Sequence, residues 1–182
     1  MMHAFSHYPI FTHLKFDMIE LPYRSPSANK PHLAMIVILP KDLKAIYQLE
    51  KELNFSNWMN WLDQLEDRAV TLSFPKFRME NRFDLNQTMI ELGMISAFTP
   101  QANFSGISKQ KGLYINKAIH KTFVQVDEKG TEAAAVTAIG MNLTSIREPA
   151  DPYMVEVNHP FIFIIMDKKT RTILFIGRCL QP

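Results

Sequence analysis

Continuous apolar runs and alternating apolar and polar residues predict more strands than helices in this chain. Residues 33–39 (LAMIVIL) form a continuous apolar run, which is typical of a strand buried on both faces. Residues 13–21 (HLKFDMIEL) alternate with one slip at Met18 and Ile19, which predicts a half-buried strand with a bulge. Residues 113–127 alternate throughout and predict one very long strand.

The C-terminal part of the chain contains three more apolar segments. They are YMVEV (153–157), FIFIIM (161–166) and TILFIG (172–177). The last two are joined by DKKTR and predict a hairpin whose strands are both buried on two faces. A further apolar and β-branched segment, residues 69–74, is interrupted by Pro75.

Three short helices are predicted between these strands. Asp42 is a candidate N-cap for the first, and the second begins near Asn54. The two tryptophans of the second helix, Trp58 and Trp61, are expected to be core anchors. A third helix is predicted to end at Gly93. The predicted fold class is β-rich α+β, with about eight strands and three helices in a single domain of 182 residues.

Composition and charge remove several classes of function. Lys plus Arg number 20 and Asp plus Glu 18, a net charge of +2, and the basic residues do not cluster, so a nucleic-acid partner is not expected. The longest apolar run is too short to span a bilayer. The N-terminus lacks the pattern of a secretory signal, which favours a cytoplasmic protein unless Met1 is not the native start.

No catalytic or metal-binding motif is present. Cys179 is the single cysteine, which excludes an internal disulfide framework, and it is expected to be a buried small hydrophobe. We predict no metal, no cofactor and no enzymatic activity, since the N-terminal histidines have no carboxylates in ligand spacing. Four N-glycosylation sequons are read as chance or structural, and they begin at Asn54, Asn86, Asn103 and Asn142.

Small side chains dominate the segment from Gly130 to Ala138, and two interpretations compete. Local propensity favours a helix, with Thr131 as N-cap and Glu132 near the positive end of the helix dipole. In an extended conformation, one face carries only small uncharged residues and the other face carries the single charge of Glu132. The small face consists of Thr131, Ala133, Ala135 and Thr137. Such a segment can enter a sheet as an added strand.

At this point the sequence resembles the serpin family. VDEKGTEAAAVTA (126–138) is similar to the hinge of the serpin reactive-centre loop, and VEVNHPFIFII (155–165) fits the serpin signature, including Asn158, Pro160 and Phe161. FPKF (74–77), FDL (83–85), ELGM (91–94), NFSGIS (103–108) and NKAIHKTFVQVDEKGTEAAA (116–135) agree in order and spacing. The chain is identified as a member of this family, corresponding to the C-terminal half of the serpin fold.

The resemblance implies a fold and a mechanism. We expect the strands of sheets B and C, part of sheet A, short helices and a reactive loop at about residues 130–152. Serpins are suicide inhibitors of serine, and sometimes cysteine, proteases. The protease forms an acyl-enzyme with the loop, which then inserts into sheet A as a new strand. The uncleaved fold is therefore expected to be metastable. The full-length parent is expected to be extracellular, although the absence of a signal peptide leaves a cytoplasmic location open.

The resemblance also implies specific site residues. The hinge comprises Glu128, Gly130, Thr131, Glu132, Ala133, Ala134 and Ala135. Family spacing from Glu128 places the reactive bond between Thr144 and Ser145, with Arg147 and Leu143 as alternatives.

Two further positions lie near the slot that receives the loop. His120 corresponds to the shutter histidine, which bonds across the strands that must separate; alternatively it is a partly buried strand histidine with no switching role. Lys76 and Glu128 match an ion pair at the top of sheet A.

The N-terminal half of a serpin supplies the rest of the slot. The isolated chain is therefore expected to be inactive as an inhibitor, with the N-terminal half as a required partner. Alternatives are a non-inhibitory serpin that acts as a carrier or chaperone-like protein, and an inactive truncated remnant.

Overall fold

The computed structural model describes residues 1–23, 32–42, 44–109, 112–127, 130–131 and 151–182. Predictions that fall on the other residues lie outside this description. The described residues contain ten strands, three α-helices and one 3₁₀ turn. The strands are β1 (Met2–Thr12), β2 (Phe16–Pro22), β3 (Leu33–Pro40), β4 (Glu66–Phe74), β5 (Phe77–Asp84), β6 (Ile119–Asp127), β7 (Gly130–Thr131), β8 (Tyr153–Glu156), β9 (Phe161–Asp167) and β10 (Thr172–Cys179). The helices are α1 (Ile46–Glu52), α2 (Phe55–Asp63) and α3 (Asn86–Glu91), and the 3₁₀ turn is Ser96–Phe98.

Contacts divide the chain into two compact units. One unit contains residues Met1–Phe77 and Val126–Pro182, and the other contains Arg78–Gln125. The predicted fold class is confirmed: the chain is strand-rich with few helices, of the α+β type.

A seven-stranded sheet forms the first unit, in the order β10-β9-β3-β2-β1-β4-β8. The long strand β1 pairs with two neighbours in turn: Met2–Ile10 lie opposite β4, and Ile10–Thr12 lie opposite the start of β2. Neighbours are antiparallel except β4 and β8, which are parallel. The three strands that follow the predicted reactive loop lie at both ends of this sheet, with β8 beside β4 and the pair β9 and β10 beside β3.

Two helices cover one face of this sheet and close the core. The buried cluster includes Trp58 and Trp61 of α2, which confirms their prediction as core anchors. Asn54 caps α2, because its side-chain oxygen accepts a hydrogen bond from the Asn57 N–H at 3.0 Å. Facing side chains come from the even positions of β2, β3 and β9, namely Phe16, Met18, Ile36, Ile38, Ile162, Ile164 and Met166. The continuous apolar runs predicted for β3 and β9 are confirmed as strands buried on both faces.

In the second unit, β5 and β6 are hydrogen-bonded neighbours and α3 follows β5. The Asn86 side chain joins α3 to the residues before β6: its oxygen accepts from Ala118 N–H at 2.7 Å, and its nitrogen donates to Asn116 O at 2.9 Å. Gly93 has a φ of +97°, which favours glycine and ends the helix as predicted.

Three predictions about local structure in the N-terminal part of the chain are wrong. Residues 13–21 are not one strand, because the His13 N–H donates to Phe16 O at 2.9 Å in a turn before β2. The slip at Met18 and Ile19 is no bulge, since both residues are buried in a continuous register with β3 and β2 is covered on both faces. Asp42 is not the N-cap of α1: Ala45 occupies that position, and the Asp42 carboxylate accepts from Lys44 N–H in the preceding turn.

Two strand predictions near the C-terminal end are also wrong in part. The strand predicted over residues 113–127 begins only at Ile119, because Ile115 N–H bonds to Ala97 O and Ala118 N–H bonds to Asn86. β10 is a strand, but its central residues are exposed, with Ile176 at 59%. It is the terminal strand of the sheet, and its apolar sequence alone does not reveal that. Cys179 is buried as predicted, and burial raises the pKa of its thiol.

Gly177 of β10 should not tolerate a side chain. A Cβ there would lie 2.6 Å from the Cζ of Phe163 on the neighbouring strand, a distance that forces the buried ring to move. We expect Gly177→Ala to lower the free energy of unfolding by about 1–3 kcal/mol, measured by denaturant unfolding. Gly106→Ala is the control, since no heavy atom lies within 4 Å of its Cβ position; equal effects of the two changes would contradict the packing argument.

Candidate functional site at the two ends of the reactive loop

The N-terminal end of the predicted reactive loop (about residues 130–152, called the loop below) begins as a strand. Val126 lies opposite Thr131 and Asp127 opposite Gly130, in an antiparallel pair between β6 and β7. Extended pairing is therefore established for the first two residues of the small-residue segment. The choice between helix and strand for residues 132–138 lies outside the described residues and stays a prediction.

The strand that receives this end has two different faces. Val124 and Val126 are 7% and 6% exposed, whereas Phe123, on the opposite face, is 44% exposed, and Lys121 is also exposed. β6 thus presents a buried apolar face and an open polar or aromatic face. Arg78 of β5 places its guanidinium 5.1 Å from the Phe123 ring centroid, a cation–π contact on the open face.

The C-terminal end of the loop leads into β8, at the edge of the seven-stranded sheet. Its four residues pair with β4, from Val70 opposite Tyr153 to Ser73 opposite Glu156, and the Val157 N–H then donates to Ser73 O at 2.9 Å. Val155 and Val157 are buried. The Tyr153 hydroxyl donates to the Asp17 carboxylate at 3.0 Å.

An aromatic cluster lies beside this end of the loop. Phe161 is fully buried at the start of β9. Its ring centroid is 5.8 Å from that of Phe74 and 5.6 Å from that of Phe77, and Phe77 in turn lies 5.5 Å from Phe163. These distances allow tilted and edge contacts that stabilise aromatic clusters. Two segments singled out in the sequence, FPKF and the C-terminal signature, therefore meet in one core.

The structure describes some of the predicted site residues and not others. His120 is exposed on β6, with its ring stacked on Phe83 of β5 at 6.4 Å; its shutter role stays a prediction. Lys76 lies between β4 and β5, but its predicted partner Glu128 lies outside the described residues. Asn158 is exposed and Pro160 partly buried. Also outside the description are the remaining hinge residues Glu132, Ala133, Ala134 and Ala135 and the reactive-bond candidates Leu143, Thr144, Ser145 and Arg147.

Sequence reasoning missed the residues that hold the C-terminal end of the loop. Asp17 and Tyr153 are 136 positions apart, so no local pattern links them. Among the described residues there is no group of three His, Cys, Asp or Glu side chains that could hold a metal ion. No helix in the described part of the chain is long and apolar enough to cross a membrane.

Comparisons with known proteins agree on one family. The family profile described as Serpin (serine protease inhibitor) matches residues 1–182. An uncharacterized serpin-like protein of Thermococcus kodakarensis is 37% identical over 182 residues, which are 100% of this chain and 41% of that protein. Human Serpin B4 is 36% identical over 167 residues, or 91% of this chain and 41% of that protein. The solved structure of uncleaved ovalbumin has a TM-score of 0.77 at 25% identity, covering 99% of this chain and 43% of the ovalbumin chain. The chain thus spans well under half the length of the relatives it matches.

Phe161 should contribute to stability more than any exposed member of the signature. Removing a fully buried aromatic ring leaves a cavity among Phe74, Phe77 and the strand β9, so we expect Phe161→Ala to lower the free energy of unfolding by about 3–5 kcal/mol. Asn158→Ala, at an exposed position of the same signature, should change it by less than about 0.5 kcal/mol. Denaturant unfolding measures both, and a large loss for Asn158→Ala would show that the signature has another role.

Proposed function

The chain belongs to the serpin family, and we propose that it forms the reactive-loop half of a protein that inhibits a serine protease by trapping it. The chain covers 41% of the length of its relatives, so the activity belongs to a protein that also contains the rest of the serpin fold. The observation that carries the proposal is the antiparallel pairing of Gly130 and Thr131 with the end of β6.

This pairing gives the register in which the rest of the hinge would enter the sheet. If the ladder continues, Ala133 lies opposite Val124 and Ala135 opposite Thr122, because cross-strand partners share a face. The small uncharged residues then meet the buried face of β6. Glu132 lies opposite Gln125, on the same face as the exposed Phe123, where water can solvate its charge. The alternation in the hinge therefore matches the burial pattern of the strand beside it.

The length of β6 sets the extent of the proposed ladder. β6 has nine residues, and its pairing with β7 begins at Val126 and Asp127. Each added hydrogen-bonded residue contributes about 0.5–1.5 kcal/mol net. While the loop is intact, its C-terminal end continues into β8, which is paired with β4. This attachment opposes insertion of the N-terminal end. Cleavage removes that restraint.

The chemistry begins with an ordinary attack by the protease. The nucleophilic serine of the protease attacks the carbonyl of Thr144, the bond to Ser145 breaks, and the new amine at Ser145 departs. The protease is then joined by an ester to the piece that inserts. From Thr131 to Thr144 an extended chain covers about 40 Å, far enough to carry the protease away from its site of attack. Arg147 and Leu143 remain alternative attack sites, and His120 and the Lys76–Glu128 pair are proposed to control the opening of the slot.

A matched pair of hinge variants tests the register. Ala133→Arg would place a charge against the buried Val124, so we expect cleavage by the protease to continue while the SDS-stable complex is lost. Ala134→Arg would lie opposite the exposed Phe123, so the complex should remain. The measurement is the ratio of complex to cleaved inhibitor on denaturing gels, with the rest of the serpin fold supplied in the same polypeptide or as a second chain.

Three results would contradict the proposal in different ways. Loss of the complex in both variants would mean that both faces are buried on insertion, and the register is wrong. Absence of a covalent complex with the unchanged protein would remove inhibition itself. A complex formed by the 182-residue chain alone would contradict the need for the rest of the fold.

Thermal unfolding of the intact and the cleaved protein distinguishes an inhibitor from a non-inhibitory serpin that acts as a carrier or chaperone-like protein. If the loop inserts after cleavage, about seven added residue pairs should raise the melting midpoint by at least about 10 °C. A carrier whose loop does not insert should show no rise. Trypsin-like and elastase-like proteases provide the cleaved samples, and the fragment masses identify whether Thr144, Arg147 or Leu143 precedes the cut.

A further inference from the structure

The strand that follows the reactive loop has few bonds of its own. β8 is four residues long, lies at the end of the sheet order, and pairs only with β4 among the described strands. Edge strands of this length open easily, because few ladder hydrogen bonds hold them. Tyr153 is its first residue and directly follows the loop, whose last two residues, Asp151 and Pro152, are described.

The side chain of Tyr153 adds a hydrogen bond to those that pair the backbones of β8 and β4. Its hydroxyl donates to Oδ2 of Asp17 on β2 at 3.0 Å, and β2 is separated from β8 by β1 and β4 in the sheet order. The other carboxylate oxygen, Oδ1, lies 3.4 Å from Nζ of Lys41. The Asp17 side chain is only 14% exposed, so water screens these interactions weakly.

A third contact fixes the orientation of the ring. The guanidinium carbon of Arg68, on β4, lies 5.3 Å from the Tyr153 ring centroid. Arg68 therefore packs against the ring while Asp17 holds the hydroxyl, and the side chain is fixed at both places. A hydrogen bond from a hydroxyl to a carboxylate is stronger than one between neutral groups.

We propose that Tyr153 is a positioning residue that fixes the C-terminal end of the reactive loop to the sheet through Asp17 and Lys41, and so holds the loop in place for attack by the protease. The Tyr153–Asp17 hydrogen bond, called the anchor below, is a feature of the structure. Its role in holding the loop for attack rests on the proposed function. After cleavage, the piece that inserts is joined to β6, and Tyr153 stays with the other piece. The anchor should therefore affect the attack on the loop and leave the trapping step unchanged.

Hydrogen exchange measures the anchor in the 182-residue chain. Tyr153→Phe keeps the ring and its contact with Arg68 but removes the donor, so we expect the amides of residues 153–157 to exchange about tenfold faster. Asp17→Asn should have a similar effect, and the double variant should be no worse than either single one, because the two groups act through the same bond. Met154→Ala is the control, at a 66% exposed position of the same strand, and it should leave the exchange unchanged.

The rate of acylation by the protease tests whether the anchor holds the loop for attack. This experiment uses the protein that contains the whole serpin fold. A loosened loop end is less preorganised, so Tyr153→Phe should slow acylation by the protease about three- to tenfold. The fraction of cleaved molecules that trap the protease should stay the same. A residue with only a general structural role would change both quantities together with the melting midpoint.

Each result bears on one part of the proposal. No change at residues 153–157, or an equal rise in exchange across the whole seven-stranded sheet, overturns the anchor. Faster local exchange with unchanged acylation overturns its role in holding the loop for attack. If the unchanged protein forms no covalent complex, the proposed function fails, while the exchange experiment still decides whether Tyr153 fixes β8.

Discussion

Strand pairing at both ends of the reactive loop is the constraint on which the proposed behaviour of this chain depends. At the N-terminal end, two residues of β7 continue a hydrogen-bond ladder along β6. At the C-terminal end, four residues of β8 complete the edge of the seven-stranded sheet. A chain held at both ends cannot extend the first ladder without pulling on the second. In the proposed mechanism, cutting the loop removes that opposition.

A strand edge can bind another chain through its backbone groups. The two faces of β6 are distinct, with Val124 and Val126 buried and Phe123 exposed. In the proposed mechanism, β6 would select an incoming strand by the size of the residues on one face as well as by hydrogen bonding. Residues 131–137 of the same chain meet that demand. A segment with larger side chains at alternate positions would gain the same hydrogen bonds but could not be accommodated.

Sequence patterns predicted most of the fold where a single local rule decides the structure. The continuous apolar runs of β3 and β9 and the capped helix at Asn54 are examples. Predictions were wrong where residues distant in sequence determine the local structure. The Asn86 side chain binds Ala118 before the start of β6, and the strand order places β10 at the edge of the sheet. For the site, the predictions of the hinge and the signature came from family resemblance, and the hinge stays a prediction. The Tyr153–Asp17 bond joins strands that only the fold brings together, so no pattern in the chain could indicate it.

The composition of the hinge is consistent with a segment that must be compatible with two states. Alanine has the highest helix propensity and is depleted in strands, so residues 133–135 gain little from local preference when they are extended. Any ladder they form must be driven by hydrogen bonds to β6 and by the fit of small side chains against Val124. In the proposed mechanism, local preference would not oppose the exit of this segment from its starting conformation, and the sheet would accommodate its small side chains. Bulky β-branched residues in its place would favour the strand before cleavage, and the difference in free energy that drives trapping would be smaller. Side chains too small to fill a core are therefore what this position requires.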